Sequence, residues 1–131
     1  MRISPLLLLL AACSQEAPKP KSEALLYAGE GRDRLCLSGN RAGLIAYGAG
    51  DANCSVRGRV DRAGEQLLTI IPDGDQECRI EVMAQAGSVR FGKVSPACAY
   101  YCGPGASLEG KAFGENPSAS PAVDFAGDPL C

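Results

Sequence analysis

From Ala24 to Val94 the chain is written in short runs of alternating apolar and polar residues, separated by Gly, Asn, Asp and Pro. A period of two over a few residues, bounded by turn formers, predicts half-buried β-strands in an antiparallel order. The predicted strands are Ala24–Ala28, Arg34–Ser38, Leu44–Gly48, Cys54–Val60, Gln66–Ile71, Cys78–Met83 and Val89–Val94. The sixth has the cleanest alternation: Cys78, Ile80 and Val82 on one face, Arg79, Glu81 and Met83 on the other. Ser38-Gly39-Asn40 and Pro72-Asp73-Gly74-Asp75 supply residues suited to turn dihedrals. Nothing before Ser95 repeats at helical spacing. Ser95-Pro96 reads as an N-cap followed by Pro at the first helical position, which predicts a short helix over 96–102 ended by Gly103. Cys98 and Cys102 then share the helix face turned toward the sheet. A last strand is expected within Ala106–Phe113, and 114–131 reads as a loop-like tail. The fold class expected is mainly β, a small antiparallel meander or barrel-like sheet with one short helix near 96–102. The β-rich domain is expected to span 24–113.

Composition makes this core thin. The chain has 4 Tyr, 3 Phe and no Trp, and Tyr47 and Phe91 are the large side chains expected on the buried face. Cysteine is the expected remedy. Beyond Cys13, the half-cystine candidates are Cys36, Cys54, Cys78, Cys98, Cys102 and Cys131. Six cysteines in an exported domain predict three disulfides, with fifteen connectivities open. Gly50-Asp51-Ala52-Asn53-Cys54 is echoed by Gly74-Asp75-Gln76-Glu77-Cys78. If one strand lies between the two, Cys54 and Cys78 sit about 9.6 Å apart, beyond the reach of a disulfide. Cys98 and Cys102, four apart on a helix, run side by side and are not expected to pair. One of them is expected to reach the tail at Cys131 and the other a strand cysteine.

The N-terminus supplies the compartment. Met1–Ala12 reads as a positive residue, Arg2, followed by the apolar run Leu6–Leu10 and small residues, the anatomy of a secretory signal peptide. The run is far short of the roughly 20 residues a spanning helix needs. Leu10-Ala11-Ala12-Cys13 resembles the lipobox of bacterial lipoproteins. That resemblance implies cleavage before Cys13, a diacylglyceryl thioether on its sulfur and an acyl (palmitate-type) chain on its amine. It also implies a location in the cell envelope, attached to a membrane through lipid. Several chains are needed because each buried methylene contributes only about 0.8 kcal/mol and one chain holds weakly. Ser14, where Asp would signal retention at the inner membrane, points to the outer membrane facing the periplasm. Residues 13–23, ending in Ala17-Pro18-Lys19-Pro20-Lys21-Ser22-Glu23, read as the lipidated Cys and a flexible tether.

Charge and residue types then exclude chemistry. The chain carries a formal net charge of −2, a poor basis for binding phosphate backbones; no nucleic-acid partner is expected. Arg57, Arg59 and Arg62 read as a solvated sheet face. With no His in the chain and no G-x-S-x-G, serine hydrolysis has no base and no elbow; Ser107 and Lys111 are one residue too far apart for S-x-x-K. Cys102-Gly103-Pro104-Gly105 lacks the second thiol of a thioredoxin-like C-G-P-C site. Asp73, Asp75 and Glu77 begin like a calcium loop, but positions six and twelve are Cys78 and Ala84. No catalytic residue, metal ligand set or cofactor is therefore assigned. The expected role is a non-catalytic structural or protein-binding domain with an envelope protein as partner. A second expectation comes from membrane-bound lysozyme inhibitors, small disulfide-bonded β-barrel lipoproteins to which this chain is similar in size and architecture. They imply an exposed loop, here Gly48–Asn53, entering the cleft of a cell-wall lytic enzyme.

Overall fold

The alternation resolves, in a computed structural model that describes residues 24–131, into eight strands. The signal peptide, Cys13 and the tether expected over 1–23 lie outside the described residues. The strands are β1 Leu25–Ala28, β2 Arg34–Ser38, β3 Arg41–Tyr47, β4 Asn53–Arg62, β5 Leu67–Pro72, β6 Ile80–Gln85, β7 Ser88–Val94 and β8 Ala112–Glu115. Each pairs with the next, and β8 returns to β1, so the meander closes into an antiparallel barrel. Closure rests on a short seam, Tyr27 opposite Glu115 and Ala28 opposite Gly114. It is lengthened by the Asn116 N–H donating to the Leu26 carbonyl at 2.8 Å.

The period of two decides which side chains meet. Leu35, Leu44, Val56, Val60, Ile70, Ile80, Val82, Phe91 and Phe113 point inward and form the main core. Arg41, Arg57 and Arg59 point outward, so the wall is polar where it meets solvent and apolar where it meets itself. The sixth strand obeys the expected alternation: Cys78, Ile80 and Val82 are fully buried while Met83 is exposed. The central aromatic pair is Phe91 with Phe113, ring centroids 5.2 Å apart. Tyr47, expected inside with Phe91, lies outside instead. Leu44 and Ala46 take the inward positions of β3, which leaves Ile45 and Tyr47 on the outer wall.

That outer wall is not bare. The tail folds back over β1–β3, and Ala122 and Leu130 bury Cys36 and Ile45 in a second, smaller cluster. The crossing is close: a Cβ on Gly43 would overlap the Leu130 carbonyl. Cys131 is bonded to Cys36. This corrects the expectation that Cys131 would pair with Cys98 or Cys102. Cys36 is the one strand cysteine whose parity faces outward, so only it is available to a segment running over the outside.

The two other bridges join the wall to the predicted helix, Cys54 to Cys102 and Cys78 to Cys98. Cys54 and Cys78 do not pair with each other, nor do Cys98 and Cys102, in accord with the spacing arguments. The helix itself is a 3-10 helix, Pro96–Tyr101, tighter than the α-type pattern expected. Ser95 makes no side-chain cap. Its hydroxyl instead accepts from the Arg79 N–H at 2.8 Å and donates to the Glu77 carbonyl at 2.7 Å, sewing the helix start to the β5–β6 turn. The last strand is shorter and later than the expected Ala106–Phe113, because residues 103–111 spend their hydrogen bonds on turns and on β4.

Two outcomes follow. Replacing Cys36 and Cys131 together by Ala should free residues 116–131 to protease while the barrel still melts cooperatively. Replacing Cys78 and Cys98 should destabilise the barrel by about 2–5 kcal/mol. Thermal melting and limited proteolysis of the two double variants test this, and equal proteolytic patterns would contradict it. Gly43→Ala should cost about 1–3 kcal/mol through overpacking against the Leu130 backbone, read as a drop in Tm that shrinks when Cys36 and Cys131 are both replaced by Ala and the tail is free to shift.

Candidate functional site

The strands alternate in direction, so the barrel has two distinct ends. The chain enters at one, with the turns at 39–40, 63–66 and 86–87. The other, here the loop end, carries the longer connections 29–33, 48–52, 73–79 and 95–111. The buried ion pair of Asp33 with Lys111 and the Tyr101–Asp75 hydrogen bond are both at the loop end.

The 3-10 helix sits there as a plug. Cys98 is 1% exposed and its partner Cys78 is fully buried, so that bridge is part of the core. Behind the helix the chain pairs with the top of β4: Cys102 bridges to Cys54, and the Gly103 N–H donates to the Asn53 carbonyl at 2.9 Å. A groove of about 570 Å³ runs between the helix and the following loop, floored by Val94, Cys98, Cys102, Ala106 and Leu108. Beside it Tyr100 stands in solvent, 86% exposed, edge-on to Tyr101 at 5.2 Å. The C-G-P-G segment is thus a wall of this groove, and its only cysteine is engaged in a structural bridge.

Tyr101 is turned the other way. Its hydroxyl donates to Asp75 Oδ2 at 2.7 Å, while Asp75 Oδ1 accepts the backbone N–H groups of Glu77 at 2.9 Å and Cys78 at 3.3 Å. Asp73 accepts two bonds from the Arg41 guanidinium, at 2.7 and 2.6 Å. The acidic residues that begin like a calcium loop are therefore directed to different partners, and among the described residues no three potential metal ligands converge.

Asp33 is the buried charge of this end, 3% exposed. Its Oδ1 accepts the Tyr47 N–H at 2.7 Å, and its Oδ2 lies 3.4 Å from Lys111 Nζ, which donates back to the Tyr47 carbonyl at 3.1 Å. Three connections, β1–β2, β3–β4 and the stretch before β8, are locked by this ring. Arg32 lies 3.9 Å over the Tyr47 ring and pairs with Asp51 at 3.0 Å. The Gly48–Asn53 loop is closed by Gly48 N–H to the Ala52 carbonyl at 2.8 Å, with Gly50 at a φ of 63°. It packs so closely on Gly105 that a Cβ at Gly48 would overlap that residue's carbonyl.

The sequence placed Cys98, Cys102 and the Gly48–Asn53 loop, and the fold brings all three to one end. Arg57, Arg59 and Arg62 do not form one cluster: Arg57 faces Asp124 at 3.6 Å and Arg59 faces Asp61 at 3.3 Å on the outer wall, whereas Arg62 reaches the Gly39 carbonyl at the entry rim. Asp33, Lys111 and the Tyr101–Asp75 clasp were missed, since each pair joins segments remote in sequence with no spacing signal. No family model, no curated protein and no solved structure matches the chain.

The clasp sets two pH limits. The Tyr101 hydrogen bond, then the backbone N–H groups, hold the Asp75 carboxyl below its ordinary value. Its contribution to stability is present above the unfolded carboxylate range and fades as pH falls through the lowered value. Burial, then the Asp75 hydrogen bond and charge, push the Tyr101 phenol up to about 12 from 10.0. That contribution is complete below pH 10.0 and is lost as pH rises toward about 12. Ultraviolet titration of the phenols should show a component with a midpoint near 12 that Tyr101→Phe removes; loss of a component at ordinary tyrosine pH instead would contradict the clasp.

Proposed function

We propose that this chain is a lipid-anchored envelope protein of the periplasm, attached through Cys13, whose barrel binds a protein partner by its loop end without catalysing a reaction. The observation that carries the reading is Tyr100, 86% exposed on a helix of six residues, with Cys98 and Cys102 on either side of it bonded to the start of the β6 segment and to β4. A large aromatic held by a rigid support offers contact area with little ordering entropy, the property of an interface anchor. The apolar groove beside it suits a partner's side chain. The reactive groups at this end support a non-catalytic role, because Asp33, Lys111 and Asp75 already close on partners within the fold.

One observation favours a narrower form of the same role. The Gly48–Asn53 loop carries small residues at its tip and stands beside the groove, on a closed antiparallel barrel. A narrow tip of that kind fits the cleft of a cell-wall lytic enzyme, the lysozyme-inhibitor reading.

Metabolic labelling with a fatty acid should mark the wild type and not Cys13→Ser; equal labelling would sink the anchor. For the loop end, cross-linking in intact cells should yield an adduct that Tyr100→Ala reduces about tenfold, the effect of losing roughly 1.4 kcal/mol at a hot spot, while Met83→Ala leaves it unchanged. If both substitutions act alike, the loop end is not the interface. Inhibition of muralytic activity by the purified protein, weakened by Asp51→Arg, would select the narrower form.

A further inference from the structure

The end where the chain enters is built differently from the loop end. Among the described residues, no helix or disulfide closes it. Leu25, Tyr27, Leu37, Leu68 and Val89 surround a mouth of about 290 Å³ between the β-turns. Leu25 on this lip is 44% exposed, and Leu67 and its cross-strand neighbour Met83, on the outer side of the same end, are each 41% exposed.

We infer that this apolar lip is the face the domain lays against the lipid surface that holds its N-terminus, an inference that rests on the anchor reading above. Position is the first argument. Leu25 opens β1 at the lip, and the eleven residues 14–24 between it and Cys13 extend at most about 36–40 Å. The preceding segment therefore joins the barrel at the lip, a strand length from the loop end. Chemistry is the second. Partly exposed apolar side chains such as Leu25, Leu67 and Met83 embed at the headgroup–acyl boundary when held at an interface. Arg62 at the mouth and Arg90, which faces Met83 across the β6–β7 pair, are offset by Glu65 and by Glu115 facing Tyr27, so no excess of positive charge is left for anionic headgroups. The contact is apolar, not electrostatic. Linkage is the third. A short connection to the anchor raises the lip's effective concentration at the membrane to the order of millimolar, so a contact too weak to recruit a free domain is enough to orient an anchored one. Tyr100 and the groove would then face away from the membrane, toward a partner.

The chain has no Trp, so one introduced indole reports its own position alone. Full-length acylated Leu25→Trp and Leu67→Trp, with Met83→Trp as a third lip position if either fails to fold, are placed in phosphatidylethanolamine–phosphatidylglycerol vesicles with brominated acyl chains. Tyr100→Trp is the control from the opposite end. The lip indoles should be quenched about twofold, as expected for side chains reaching the acyl boundary, and the control should not. Quenching should persist between about 0.1 M and about 1 M salt, which shortens the Debye length from about 10 Å to about 3 Å. Acylated protein with no lip quenching, or with equal quenching at Tyr100→Trp, overturns the proposal. Lip indoles shielded from an aqueous quencher but untouched by brominated chains would assign the lip to a second copy or a small apolar ligand, and overturn it as well. A chain that mass spectrometry finds without an acyl group on Cys13 overturns the anchor reading itself, a failure distinguishable from the others.

Discussion

The fold hangs on two inward-facing half-cystines. Cys54 and Cys78 occupy positions of β4 and just before β6 where parity sends the side chain into the barrel, and both are fully buried. A closed barrel with small strands leaves its ends as the weak points, since the last inward side chains have nothing above them. Here the missing layer is supplied by a six-residue 3-10 helix. A helix of that length has no independent stability, so it can serve as a lid only because its two cysteines are bonded to the wall beneath it. The bridges thus complete the core as well as joining it.

From that lid the rest of the loop end follows. The helix positions Tyr101 over Asp75 and leaves Tyr100 pointing away, because adjacent residues on a 3-10 turn cannot both face inward. The segment leaving the helix pairs with the top of β4 through Cys102 and Gly103, which brings Gly105 against Gly48. The same segment delivers Lys111 to Asp33. Four connections are in this way held by covalent and ionic links to one another, which leaves little conformational freedom at this end. Among the described residues the entry end has no such links, and its leucines Leu25 and Leu67 are partly exposed.

The sequence by itself determined that seven strands run from Ala24 to Val94, because a period of two is a local property, and β2 is placed residue for residue; β8 it placed too early. It also determined that the bridges would be three, that Cys54 would not reach Cys78, and that a short helix carrying Cys98 would sit against the sheet; Cys102, expected on the same helix face, lies just past its end in extended backbone. What it left open was decided by closure. Which face of β2 Cys36 lies on sets its partner, and that became legible only once β1–β3 formed a wall with a tail across it; the tail is drawn there by Ile45 and accommodated by Gly43. Tyr47 moved outside for the same reason, its inward neighbours Leu44 and Ala46 having claimed the interior. The Asp33–Lys111–Tyr47 ring and the Tyr101–Asp75 clasp have no local pattern at all. They join positions that only the return of β8 to β1 and the docking of the helix bring within hydrogen-bond distance, and no periodicity along a chain encodes a distance between its remote parts.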